Sequence, residues 1–204
     1  MTILSAPRIL SSGVLPVQFI ISAFAGLTLV AAMATAWGRS AGMKGLFPPR
    51  FIVLRGLLLA FILLIILLPI KIFWFNPLLY SAVEQTGNGA ALRLLFPDTF
   101  ISGVALMLWV MSFEALFFRA AAMSFFARLT NRLSVALVLS AMLRVFVTWL
   151  KISEIGVEDG LFLILSHAAI INLLSCLMFA RYGLPAPMLF AGGLAMYRWV
   201  FIWG

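Results

Sequence analysis

The chain carries one cysteine, Cys176, and one histidine, His167. A lone cysteine excludes an internal disulfide and any thiolate metal cluster, and a lone histidine excludes every site that needs two imidazoles. Carboxylates are nearly as scarce. Asp and Glu together number 6, and charged residues make up 10% of the sequence. A soluble domain is roughly 25% charged and 45–50% apolar, whereas this chain is 65% hydrophobic. The solvent for so much apolar surface is a bilayer, and the segments between apolar runs are too short for a separate soluble domain. Composition therefore predicts a single integral membrane domain over residues 1–204, all-α, with the lipid bilayer as its first partner.

The net charge is +8. In a soluble protein such an excess points to nucleic acid, but here the basic residues flank apolar runs and no interleaved aromatic and basic patch stands out. Positive-inside placement and anionic headgroups account for the charge, and no nucleic-acid partner is expected. Arg8 before an apolar run that ends at Ala34-Thr35-Ala36 imitates a signal peptide. The run is long enough to span, however, and Arg39, Lys44 and Arg50 follow it in a stop-transfer pattern, so it is read as an uncleaved first span.

A hydrocarbon core of about 30 Å takes about 20 helical residues. Six runs fit, near 14–37, 51–75, 100–126, 133–150, 161–180 and 185–203. Arg55 and Lys71 fall near the two ends of the second and are expected to snorkel to headgroups. Gly38–Arg50, Ala127–Arg132 and Arg181–Leu184 are basic connections, while Asn76–Thr99 and Lys151–Gly160 hold five of the six acids. That asymmetry places the basic loops in the cytoplasm and both termini outside, in a membrane of the bacterial inner-membrane kind. Trp74, Tyr80, Trp149, Trp199 and Trp203 lie near predicted span ends, where an aromatic belt sits. Ser81–Ala91 reads as a turn leading into a short interfacial helix, Ala90–Leu95. Ala120-Ala121-Ala122, Ala168-Ala169 and Ala191-Gly192-Gly193 are small-residue patches that let helices approach. The clusters Phe73-Trp74-Phe75, Phe117-Phe118 and Phe125-Phe126 are expected against lipid or in the core, or lining a groove.

Ionisable residues inside apolar runs are costly, and each one is a candidate functional group. Glu114 is the one carboxylate within the predicted spans, and Arg119 follows it in the same run. On an α-helix positions five apart point to different faces, which disfavours a Glu114–Arg119 pair and sends each side chain to another neighbour. Without a cation beside it, burial would favour the neutral form of Glu114. Arg144 sits mid-span in the fourth run, too deep to snorkel easily, and an ion pair with Glu114 would satisfy both. His167 and Asn172 share the fifth run. A buried imidazole commonly donates to a backbone carbonyl, and Ser166 is adjacent; a proton or substrate site is the alternative. A single imidazole can ligate a haem or a chlorophyll-type pigment, but no second signal accompanies it, and one carboxylate with one histidine makes no zinc site. No cofactor is expected.

The segment Ser112-Phe113-Glu114-Ala115-Leu116-Phe117-Phe118-Arg119-Ala120 resembles the first motif of the CAAX-protease and bacteriocin-processing family of intramembrane glutamate proteases, two adjacent glutamates followed after three residues by arginine. Glu114 and Arg119 match, and Ala115 stands where the second glutamate would be. Phe179-Ala180-Arg181-Tyr182-Gly183-Leu184-Pro185-Ala186-Pro187-Met188-Leu189 is similar to the family's approach to its last span. The resemblance covers roughly residues 100–204. It implies a histidine four residues after a phenylalanine in the middle motif, where this chain has Thr148 after Arg144. It also implies a histidine with Asn or Asp in the last span, where it has Ala191 and Ala195.

A glutamate that activates water for peptide hydrolysis needs a partner to orient the water and a donor for the oxyanion. The family would supply two histidines, and this chain has one, at neither place. The first expectation is therefore a non-catalytic, protease-like scaffold or accessory subunit that assembles with other integral membrane proteins. The alternative is an active intramembrane endopeptidase that uses Glu114 with His167, helped by Asn172 if the fifth run packs beside the third. A third reading is a transporter or a lipid- or pigment-binding protein with Arg144, Glu114 and His167 as a polar pathway. The lack of paired broken helices weakens that one.

Overall fold

The computed structural model describes residues 17–196 apart from 90, 91, 93, 94, 97, 98 and 159. Every regular element among them is helical. Helix α1 is Val17–Ser40. Helix α2, Arg50–Ile70, continues without a break through a π-helical turn, Lys71–Phe75, into α3, Asn76–Gln85. Helix α4, Phe100–Trp109, continues through a 13-residue π-helical segment, Val110–Ala122, into α5, Met123–Thr130. Helices α6, Leu133–Ile155, α7, Leu161–Tyr182, and α8, Pro185–Met196, complete the order.

Among the described residues four helices are long and apolar enough to cross a membrane: Arg50–Gln85, Gly103–Thr130, Leu133–Ile155 and Leu161–Tyr182. Helix α1 is 24 residues long. The predicted last span is observed as the 12 residues of α8, and its remainder, with Tyr197, Arg198, Trp199 and Trp203, lies outside the described residues. The crossing helices turn apolar faces outward, as lipid contact requires. Phe51, Leu54, Leu58, Phe61, Ile65 and Phe73 on the second span are all exposed. The phenylalanine pairs divide between two environments: Phe117 and Phe125 are exposed, Phe118 is buried, and Phe126 is partly buried against the core. Trp74 and Trp149 are exposed.

The predicted exit of the second span at Phe75 gives way to ten further helical residues. Pro77 does not end the helix; it lies in the first residues of α3, directly after the π-helical turn Lys71–Phe75. Residues 81–85, read as turn, are therefore helix, and the chain turns at Thr86–Asn88 instead. Beyond the turn, Leu92 N donates to Asn88 O at 3.1 Å and Phe96 N to Leu92 O at 2.7 Å, a helical spacing where a short helix is predicted. In the same way α6 runs to Ile155, five residues past its predicted end, and takes Lys151 into the helix.

The π-helical segment is the hub of the bundle, in contact with α1, α6, α7 and α8. Helix α8 wedges between that segment and α2. Room for the wedge comes from adjacent glycines, since a side chain at Gly192 would fall on Met111 and one at Gly193 on Leu64. The link from α7 to α8 is fixed at Gly183, which has φ 79° and lies against Pro48, while Leu184 N donates to Leu46 O at 2.9 Å. A β-carbon there meets both an extended positive-φ conformation, which is essentially restricted to glycine, and the proline ring. Gly183→Ala is expected to cost at least about 1–3 kcal/mol from the backbone alone, read as a lower midpoint in thermal unfolding of the detergent-solubilised protein.

Candidate functional site

Five stretches of helix each present one stripe of side chains to a central cavity of about 210 Å³. From α6 the stripe is Arg144, Thr148, Lys151, Ile152 and Ile155, steps of three and four that keep to one α-helical face. From α7 it is Ile164, His167, Ala168, Ile171 and Asn172, and from α8 it is Ala191, Leu194 and Ala195. The second span contributes Lys71, Phe75, Leu79 and Val83.

The fifth stripe departs from this rule, and the departure has a cause. Leu106, Trp109, Val110, Glu114 and Arg119 line the cavity, and the last step is five residues. An α-helix would carry Arg119 away from Glu114. Hydrogen bonds from i to i+5 wind the chain more loosely, so a side chain five positions on returns toward the same side. The π-helical segment spans both residues. The expectation that they project to different faces is thus corrected, because it assumed an α-helix. π-Helical geometry is rare, and its common single-turn form is frequent at functional sites.

The site residues named from the sequence, Glu114, His167, Arg119, Arg144 and Asn172, all line this cavity. Arg144 Nη1 lies 3.0 Å from Glu114 Oε1. Nη1 makes no hydrogen bond among the described residues, and the contact is an ion pair. The same guanidinium lies over the Phe118 ring, 4.9 Å from its centroid, and the ring face favours the positive charge. Glu114 is 7% exposed, and a carboxylate so enclosed is stabilised chiefly by its cation.

Arg119 is more deeply buried, at 3% exposure, and neither its Nε nor its Nη1 has a hydrogen-bond partner among the described residues. Asn172 is fixed across helices: its Nδ2 donates to Ser140 O on α6 at 2.9 Å and approaches Cys176 Sγ at 3.7 Å. Its Oδ1 accepts no hydrogen bond among the described residues. Inter-helix hydrogen bonds in membranes contribute about 0.6 kcal/mol on average and about 1.7 at most. Asn172→Ala should therefore lower unfolding free energy in micelles by about 1 kcal/mol, with the α6–α7 pair otherwise intact.

His167 is held by an aromatic contact. Its ring stacks on Phe75 with centroids 4.0 Å apart and planes 22° apart. Three polar wall residues were not singled out as site residues from the sequence. Lys71 was expected to snorkel, yet it is buried in the cavity wall because the helix runs on past it. Lys151 falls by sequence in a connecting loop, and Thr148 stands where the family's middle motif has histidine. The signal for Lys71 was available in the step of four, Lys71, Phe75, Leu79, Val83.

Four cationic side chains and one carboxylate line the cavity among the described residues, and no three His, Cys, Asp or Glu side chains gather there or elsewhere among them to hold a metal. Comparison with family models, curated proteins and solved structures gives no match to this chain.

Proposed function

We propose that this chain is a non-catalytic membrane protein with a protease-like arrangement of about six spans, working as a scaffold or accessory subunit of a larger complex in a bacterial inner membrane. Its basic loops face the cytoplasm. The observation that carries the reading is the Glu114–Arg144 ion pair. A general base must release its lone pairs to a water and take up a proton in the transition state. A carboxylate held 3.0 Å from a guanidinium, with Arg119 lining the same cavity, is stabilised in its charged form and makes a weak base.

The resemblance to the CAAX-protease family gains support from position. Glu114 and Arg119 match the family's first motif, Arg144, Thr148, Ala191 and Ala195 stand by spacing where its other motif residues would be, and all six line one cavity from three parts of the fold. At Ala191 and Ala195 that lining is methyl, which neither orients water nor stabilises an oxyanion. The second reading, an endopeptidase using Glu114 and His167, draws on their sharing the cavity wall.

Two measurements test the proposal. Purification in a mild detergent should yield a stoichiometric complex with another integral membrane protein, and a lone monomer under those conditions counts against the scaffold. Glu114→Gln should leave peptide cleavage by the membrane fraction at background, the same as for the unaltered chain. Cleavage that Glu114→Gln abolishes would establish the endopeptidase.

A further inference from the structure

We propose that the end of the bundle where the basic connections meet is a binding surface for anionic phospholipids, which it holds in preference to zwitterionic ones. To set topology, a loop needs only its number of positive charges. A lipid surface also needs those charges held in place, with apolar side chains beside them for the acyl chains, and this end has both. Residues 41–49 form a strap across the helix ends, pinned where Leu184 N donates to Leu46 O at 2.9 Å and where Gly183 lies against Pro48. Met43, Gly45 and Pro48 of the strap are buried, while Lys44 and Phe47 are exposed. The same contacts bring Arg181, in the last turn of α7, to the end that carries Arg50 at the start of α2. Across the bundle, Gly38 faces Ser124 and the Trp37 ring lies 5.7 Å from that of Phe125. Arg39 is thereby placed at the end where the turn from α5 to α6 carries Arg132. Arg39, Lys44, Arg50, Arg132 and Arg181 are all exposed.

Two features select the occupant. The first is charge: no Asp or Glu occurs in residues 1–83, 115–153 or 160–204, so the helices and turns that build this end bring no acidic side chain to it. Its potential is positive throughout and complements a phosphate headgroup. The second is the pairing of cations with outward apolar side chains. Phe47 follows Lys44 in the strap, Phe51 adjoins Arg50, and Leu133 adjoins Arg132, and all three apolar side chains are exposed, Phe47 at 75%. A lipid whose phosphate rests on one of these cations finds apolar surface next to it, where its chains begin. An acidic segment of a soluble protein would meet the charges and leave those side chains in water.

In the test, the full chain in sugar detergent is incubated with equal amounts of phosphatidylglycerol and phosphatidylcholine carrying the same acyl chains. It is then re-purified, and the retained lipid is measured by mass spectrometry. Phosphatidylglycerol should be retained in excess, and the excess should shrink at high salt, which screens exposed charges. Lys44→Gln, Arg50→Gln and Arg181→Gln, combined in one chain, should weaken phosphatidylglycerol binding about five-fold for each cation neutralised, the worth of one basic residue near an anionic membrane surface. Phosphatidylcholine binding should not change, and substitutions at such exposed positions leave the fold intact. The proposal is overturned if the two lipids are retained equally, if high salt leaves the excess unchanged, or if the triple variant retains phosphatidylglycerol as the unaltered chain does. Equal retention of the lipids together with salt-sensitive binding of polyglutamate would overturn it in favour of an acidic protein segment. The first two outcomes do not depend on the variant folding.

Discussion

Arg144→Met is expected to destabilise the folded protein by about 3–5 kcal/mol, the cost of leaving a buried charge without its partner. Glu114 is 7% exposed, and its ion-pair contact among the described residues is to Arg144 at 3.0 Å. Methionine replaces much of the guanidinium's volume, so packing changes little and the loss reports the charge. Adding Glu114→Gln should recover most of it, since an amide needs no counter-ion. Unfolding of the purified protein by graded denaturing detergent measures both, and membrane abundance should follow the same order. A pair of this kind favours one helix arrangement over others more than it adds net stability. Helices α6 and the π-helical segment are thereby held in one register.

Gly56→Val is expected to cost about 3 kcal/mol, the upper end of overpacking. A β-carbon at Gly56 would fall on Cβ and Cγ of Tyr182 and crowd Cβ of Ala186. These atoms sit next to the backbone and cannot swing aside, so α2 would have to part from the ends of α7 and α8. Gly193→Ala meets Leu64 near its branched end instead, where a rotamer change relieves part of the clash, so its loss should be smaller. Unfolding midpoints of the two variants give the comparison.

Much of the bundle was legible because bilayer burial is written in composition. The runs at 133–150 and 161–180 recur as α6 and α7, each extended by a few residues at its C-terminal end. What was not legible lay in hydrogen-bond register. Nothing in Val110–Ala122 distinguishes an i to i+5 ladder from an i to i+4 one by residue type, so Arg119 was placed on the wrong face. The same difficulty hid Lys71 and Lys151. Charged residues near apparent span ends read as headgroup contacts, and only the continuation of helix past Phe75 and Leu150 turns them into cavity wall. Gly56, a lone glycine within an apolar helical run, is a sequence mark of close approach by another element, here Tyr182. The ionisable lining was partly legible because such groups within membrane-length runs are few, and Glu114, Arg119, Arg144 and His167 come to one cavity.

The central claim is that Glu114 and Arg144 act as one buried pair, which keeps the glutamate from serving as a base. A double-mutant cycle measures this most directly, with unfolding free energies of the unaltered protein, Glu114→Gln, Arg144→Gln and the double variant. Coupling of about 2–3 kcal/mol is the predicted result, the upper range for residues in one buried ion pair. Single losses that add within about 0.5 kcal/mol, the behaviour of independent sites, would contradict it.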